Sequence, residues 1–342
     1  MKKSHSTTLH NIQILRALAA LLVVMHHLLP HYQVMGGDFY IIRVISEWGF
    51  IGVDIFFVIS GFIMSYTTFE KDRTYANAKI FFKHRLLRVY IGYWPFFVAM
   101  LILLYVTTPT QITQLDMVGS FFLMNVDMFQ LVLPISWSLS YELYFYFLFL
   151  FTFIFSVNQL KILIPSFIFI IFTSVIYTFY NPQTPEPFFY SHFVLEFFSG
   201  VILYMYRKYL FNSGILIIAL IIIFIAMWFG ITYETKNGLY RILTFGLTSF
   251  SIILVALILE SKHIYYHGKY LEALGNASYT LYLSHLIIIQ LFYFSGLRGL
   301  FTSTYTILPL LGFLLVIVLC VIFSLIYYQK IEKPMYQKAI HL

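Results

Sequence analysis

Apolar runs long enough to cross a bilayer recur along the whole chain, separated by short polar segments. Such windows, each of about 17–25 residues, fall at 11–29, 48–66, 89–108, 135–157, 162–180, 188–206, 215–233, 239–260, 275–295 and 304–328. They predict an all-α polytopic membrane protein with about ten transmembrane helices. No Gly/Ser-rich linker, short internal repeat or low-complexity tract interrupts them, so 1–342 reads as a single integral-membrane domain with no appended soluble domain. Composition agrees. The chain is 61% hydrophobic and 10% charged, with a mean hydropathy of +0.85. Soluble domains are about 45–50% apolar and about 25% charged, so a water-soluble globule is excluded.

Charge then orders the spans. A formal +7 could suit a nucleic acid, but its placement fits membrane topology instead, and no nucleic-acid partner is expected. With the N-terminus in the cytoplasm, all but Arg43, Lys236, Arg241 and Arg298 of the 21 Lys and Arg residues fall inside. Both termini are therefore expected in the cytoplasm. Lys2 and Lys3 ahead of an apolar stretch imitate a secretory signal, but Arg16 and His27 interrupt that stretch and further spans follow. The lone Cys320 and the lack of any zinc-type spacing give no reason to expect a disulfide or a metal. No G-x-S-x-G elbow or Gly-rich phosphate loop is present either.

The ionisable residues inside these spans are the candidate chemistry, because charge in hydrocarbon is costly unless it faces protein or water. In the first window, eleven steps of about 100° bring His27 to within roughly 20° of the Arg16 face, some 16 Å further along. His26 points roughly 80° away. The alternative for this stretch is a snorkelling Arg16 and histidines that only meet the outer interface. Asp54 lies in the descending second span, roughly 9 Å below the outer surface, and Glu142 in the fourth is expected at a similar depth. One imidazole and two carboxylates thus share a layer, with Arg16, Arg85 and Arg88 on the opposite side. Glu142 or Asp54 could orient the His27 ring and stabilise its imidazolium. Each could equally hold a neighbouring helix, as Gly52, Ser60 and Gly61 would by close packing. Arg85 and Arg88, three apart, could clamp phosphates or anchor the topology against anionic lipid. Ser138 shares a face with Glu142. Ser278, Tyr282 and His285 form a polar stripe that could line a substrate passage or satisfy a helix contact. Glu196 and Glu332 receive no role.

Taken together, LRALAALLVVMHH, GVDIFFVISGF, RLLR, WSLSYELYFY and SYTLYLSH resemble the acyltransferase 3 family of membrane-bound O-acyltransferases, in the family's order and across nearly the whole chain. NIQILRALAA and WSLSYELYFY are similar to the branch that decorates bacterial exopolysaccharides. The resemblance implies a ten-helix enzyme of the bacterial cytoplasmic (inner) membrane. It would move an acyl group, usually acetyl, from acyl-CoA to a glycan hydroxyl or its lipid-linked precursor. Acetyl-CoA is then a co-substrate, and no cofactor is bound permanently. By motif match His27 is implied as the catalytic histidine, with Arg16, Arg85, Arg88 and Glu142 as companions. Ile91 and Gly92 stand where the family commonly has proline after its Arg-x-x-Arg-Ile-Tyr. Tyr141–Tyr144 replaces Val-Glu-Glu-Gln, so one carboxylate carries over. The mechanism expected is general-base or relay catalysis by His27, with the arginines holding the CoA phosphates at the cytoplasmic mouth. The rival reading is a transporter or flippase, against which stands the lack of an inverted repeat.

Overall fold

The computed structural model describes residues 9–236, 238–303 and 307–341; Lys2 and Lys3 lie outside the described residues. Every regular element among these residues is helical. In order they are α1 (His10–Val34), α2 (Tyr40–Glu47), α3 (Ile51–Thr68), α4 (Tyr75–Thr107), α5 (Met117–Phe122), α6 (Trp137–Leu150), α7 (Val157–Tyr180), α8 (His192–Met205) and α9 (Arg207–Leu210). There follow α10 (Ser213–Thr232), α11 (Gly238–Arg241), α12 (Leu247–Ser261), α13 (Lys269–Asn276), α14 (Ser278–Phe294), α15 (Leu297–Phe301), α16 (Ile307–Tyr327) and α17 (Lys333–Ile340). Short π-helical segments, Ile242–Gly246 and Tyr328–Glu332, join α11 to α12 and α16 to α17.

Eight helical stretches among the described residues are long and apolar enough to span a bilayer, and a ninth forms if α13 and α14, bent by 74°, count as one. They account for nine of the ten windows. The tenth, 135–157, contains only the 14-residue α6. Pro134 opens a 3-10 turn ahead of it and Phe151–Phe153 forms another behind it. Ser156 then starts α7 with a capping box: its hydroxyl accepts from the Gln159 amide at 3.3 Å, and the Gln159 side chain accepts from the Ser156 amide at 2.8 Å. Apolar content measured solvent preference over that window, while local caps divided it.

Two features position the site. α4 is 33 residues long, about 50 Å at the usual rise, so it outreaches the bilayer and carries its basic first half out of the apolar layer. Thr74 caps it, accepting from the Asn77 amide at 3.2 Å. Secondly, α3 lies almost backbone-to-backbone on α8. A Cβ on Gly61 would sit 1.9 Å from the Phe197 carbonyl oxygen, and one on Gly200 2.0 Å from that of Val58. Small residues permit this approach, and Phe145 of α6 stacks on Phe197 at 4.0 Å beside it. On its other flank α3 meets α1 at Gly52, whose Cβ would fall 2.3 Å from the Ala19 carbonyl. The site therefore sits between α1, α3, α4, α6 and α14 on a frame with little room to shear.

Candidate active site

The centre of the site is a pair of imidazoles. His27 on α1 and His285 on α14 approach with His27 Nδ1 3.2 Å from His285 Nε2 and ring centroids 5.0 Å apart. His27 Nδ1 also lies 2.9 Å from the Val23 carbonyl oxygen, one turn back. A carbonyl only accepts, so Nδ1 of His27 carries the hydrogen. His285 Nδ1 faces the Leu281 carbonyl at 3.3 Å, which by the same logic leaves His285 Nε2 as a lone pair. The two contacts are then mutually consistent: the His27 Nδ1–H is shared between Val23 and His285. What remains is His27 Nε2, a basic nitrogen with no hydrogen bond to a described residue, while His285 is fully buried.

A separate cavity of about 270 Å³ lies between the same helices, and neither His27 nor His285 is part of its lining. Its walls include Arg16 and Gln13 from α1, Arg85 and Arg88 from α4, Ser138 and Glu142 from α6, and Ser278, Tyr279 and Tyr282 from α14. The polar groups sort along it. Arg85 donates to the Thr67 hydroxyl at 3.3 Å and covers the rings of Phe81 and Tyr146. Arg16 reaches Gln13 at 3.4 Å. Arg88 makes no hydrogen bond to a described residue. Glu142 accepts from the Tyr146 hydroxyl and lies close enough to Arg16 and Arg88 for their charges to interact, as does Glu332. Three guanidinium groups thus face two carboxylates, leaving the basic end short of negative charge. Further in, Tyr282 donates to the Ile135 carbonyl at 2.9 Å, with the Ser138 hydroxyl 2.7 Å away. The Tyr282 ring stands 6.0 Å from that of His285, so the inner wall of the cavity abuts the imidazole pair. The Ser278 hydroxyl is buried in this wall with no hydrogen-bond partner among the described residues.

The layer expected from the sequence is not the one found. Among the described contacts neither Glu142 nor Asp54 touches His27. Glu142 lines the cavity with the arginines instead, a placement set by how α6 packs against its neighbouring helices. Asp54 is fully buried against Arg241, which donates to both its oxygens at 2.9 and 2.8 Å. Arg241 is in turn held between the rings of Phe50 and Phe193. Glu196 is buried beside the same pair. A sequence separation of 187 residues hid this ion pair from any local pattern. His26, as its angle predicted, leaves the His27 stripe and meets the Ser46 carbonyl at 3.0 Å. Ser278 and Tyr282 line the cavity, while His285 of the same stripe contacts His27. Sequence reasoning missed Gln13, Tyr146, Tyr279 and Glu332. Of these only Glu332 carried a signal, as a lone carboxylate at the end of an apolar span.

The family comparison adds chemistry to this geometry. A family model described as an acyltransferase domain, Acyl_transf_3, matches residues 9–329, and so covers α1 through α16. No curated protein and no solved structure matches the chain. With its membrane-spanning helices and a match over nearly its full length, the chain belongs to the acyltransferase 3 family and is an acyltransferase enzyme.

Proposed function

We propose that this enzyme transfers an acyl group, most simply acetyl, from cytoplasmic acyl-CoA to a hydroxyl of a bacterial surface polysaccharide or its lipid-linked precursor, in the cytoplasmic membrane and with both termini inside. The observation that carries this reading is one cavity lined by Arg16, Arg85 and Arg88, with the His285–His27 pair behind its Tyr282 wall. At about 270 Å³ it falls just below the ~300–1,000 Å³ common for whole-ligand pockets. That is room for a slender thiol-bearing arm and not for a nucleotide, which stays at the arginine-lined mouth. Arg88, without a hydrogen bond to any described residue, and Arg85 take the phosphates in charge-assisted hydrogen bonds. The unpartnered Ser278 hydroxyl meets the amides of the arm.

The thioester then lies near Tyr282 and His285. His27 Nε2 removes the proton of the acceptor hydroxyl as its oxygen attacks the thioester carbon. The carbon–sulfur bond breaks, sulfur leaves as thiolate, and the imidazolium returns the proton to it. One ester forms and one thioester is consumed, with no net proton change. His285 and the Val23 carbonyl hold the Nδ1–H throughout, so the reactive nitrogen stays the one facing the substrates. Asp54, buried with Arg241, serves as an ion-pair partner bracing α3.

Two measurements test this. Membranes supplied with labelled acetyl-CoA should pass label to the glycan fraction with the wild-type enzyme and not with His27→Ala. Surface polysaccharide from cells with and without the gene should differ by one acyl unit per repeat. Identical masses would rule out the glycan acceptor, and labelling by His27→Ala would rule out the base.

A further inference from the structure

Outside the cavity, three ligand-type side chains from separate segments converge where α1 begins. His10, the first residue of α1, sets its Nδ1 2.9 Å from Glu272 Oε1 in the first turn of α13. His267, in the segment just before α13, packs edge-on to His10 at 4.7 Å between centroids. Each of the three brings one ligand atom within 4.8 Å of the other two. The geometry points to a binding site for a divalent first-row transition ion, zinc foremost, held by His10, His267 and Glu272 with a remaining position for water.

The donor set selects the metal class. Two imidazoles and one carboxylate suit zinc and its neighbours, whereas calcium and magnesium take oxygen almost exclusively. Ligand bonds of about 2.0–2.2 Å place neighbouring donors roughly 3.3 Å apart in a tetrahedral site. The His10–Glu272 pair is within a few tenths of that, and His267, on an exposed segment, is free to close the third edge. The cluster is also not needed to finish the helix. The amides of His10 and Asn11 are already taken by Glu260, at 2.9 and 2.7 Å, and the Asn11 side chain ties α1 to the Ala256 and Ile264 carbonyls. Tyr265 stacks on His10 at 4.8 Å and supports the ring from behind.

A bound ion would join α1 to α13 at the basic end of the fold. One turn further in, Gly275 already presses on Gln13, where a Cβ would lie 2.1 Å from the carbonyl oxygen. Those two helices lead directly to His27 and, through the bend, to His285. The site stands apart from the acyl-transfer reading and does not depend on it.

The test uses tag-free, full-length protein in detergent, stripped with chelator and desalted. Zinc is titrated against a chromophoric competitor, and cobalt(II) is loaded for visible spectroscopy. The wild type should bind one zinc per chain, show ligand-field bands with cobalt, and melt higher with zinc than without. His267→Ala, on its exposed segment, should keep the metal-free melting profile while losing tenfold or more in zinc affinity, along with the cobalt bands and the zinc-induced shift. Glu272→Gln should weaken zinc similarly. Wild-type protein that takes up no zinc in the titration, or zinc affinity unchanged in both variants, would overturn the site.

Discussion

Replacing Arg88 with alanine isolates the part of the site that waits for an anion. Most buried arginines complicate such an experiment, because their removal strands a partner and the measured loss mixes two causes. Arg88 has no hydrogen-bonded partner among the described residues, and the nearby Glu142 keeps its bond from Tyr146 while Glu332 keeps its bond from Thr280. The loss should therefore report ligand contact. A hydrogen bond to a charged group contributes about 1.5–3 kcal/mol, which converts to roughly 10- to 150-fold in dissociation constant. Arg88 is only partly buried, so solvent screening favours the lower half of that range. Arg85→Ala should cost less, on the order of 3- to 10-fold, because that guanidinium divides itself between Thr67 and two rings. Arg88→Lys should fall between wild type and alanine, keeping the charge and losing the two-pronged fork. The assay is calorimetric titration of purified protein with acetyl-CoA and with free CoA at two salt concentrations, the contrast shrinking as salt rises. If Arg88→Ala binds both within twofold of wild type, with unchanged elution and melting, the basic mouth does not hold the nucleotide.

His27→Ala should abolish acyl transfer and leave acetyl-CoA binding near wild type, whereas His26→Ala should keep most of the activity; comparable losses in both would mean the Nε2 argument is wrong. Arg241→Ala leaves the Asp54 carboxylate buried without its partner and should cost about 3–5 kcal/mol of stability, seen as lost membrane yield and a lower melting temperature. The paired change Asp54→Leu with Arg241→Met should restore folding and activity together; folding without activity would return Asp54 to the chemistry. Gly200→Ala pushes a methyl to 2.0 Å from the Val58 carbonyl and should destabilise by about 1–3 kcal/mol, while Gly214→Ala, whose nearest neighbour is at 3.4 Å, should be neutral by the same thermal measurement.

The spans were readable in the sequence because crossing a membrane imposes a local requirement, a run of apolar residues of a given length. The divergence of His26 from His27 was readable for a similar reason: it follows from helical angle alone. What failed was everything set by another helix. Nothing near Asp54 in the chain announces Arg241, and nothing near His27 announces His285. Glu142, expected to reach His27, faces Arg16 and Arg88 instead, because the helices packed around α6 decide which of its residues meet which partner. Glu332, a residue with no role in the sequence, turned out to lie beside Arg16 and Arg88 because a π-helical turn at Tyr328–Glu332 brings it inward.

The brevity of α6 matters beyond its place in the bundle. Fourteen residues reach roughly 21 Å, about two thirds of a hydrocarbon layer near 30 Å thick. Ahead of α6 the chain runs through the six-residue α5 and the loop from Leu123 to Leu133, where main-chain carbonyls also serve side chains: those of Ser120 and Asn125 accept from the Tyr93 and Ser140 hydroxyls. Unpaired main-chain polarity survives at such depth only when shielded by protein or wetted. On that flank the apolar barrier would be thinner, so that a polar acceptor such as the glycan hydroxyl proposed above need not shed all its water to approach α6.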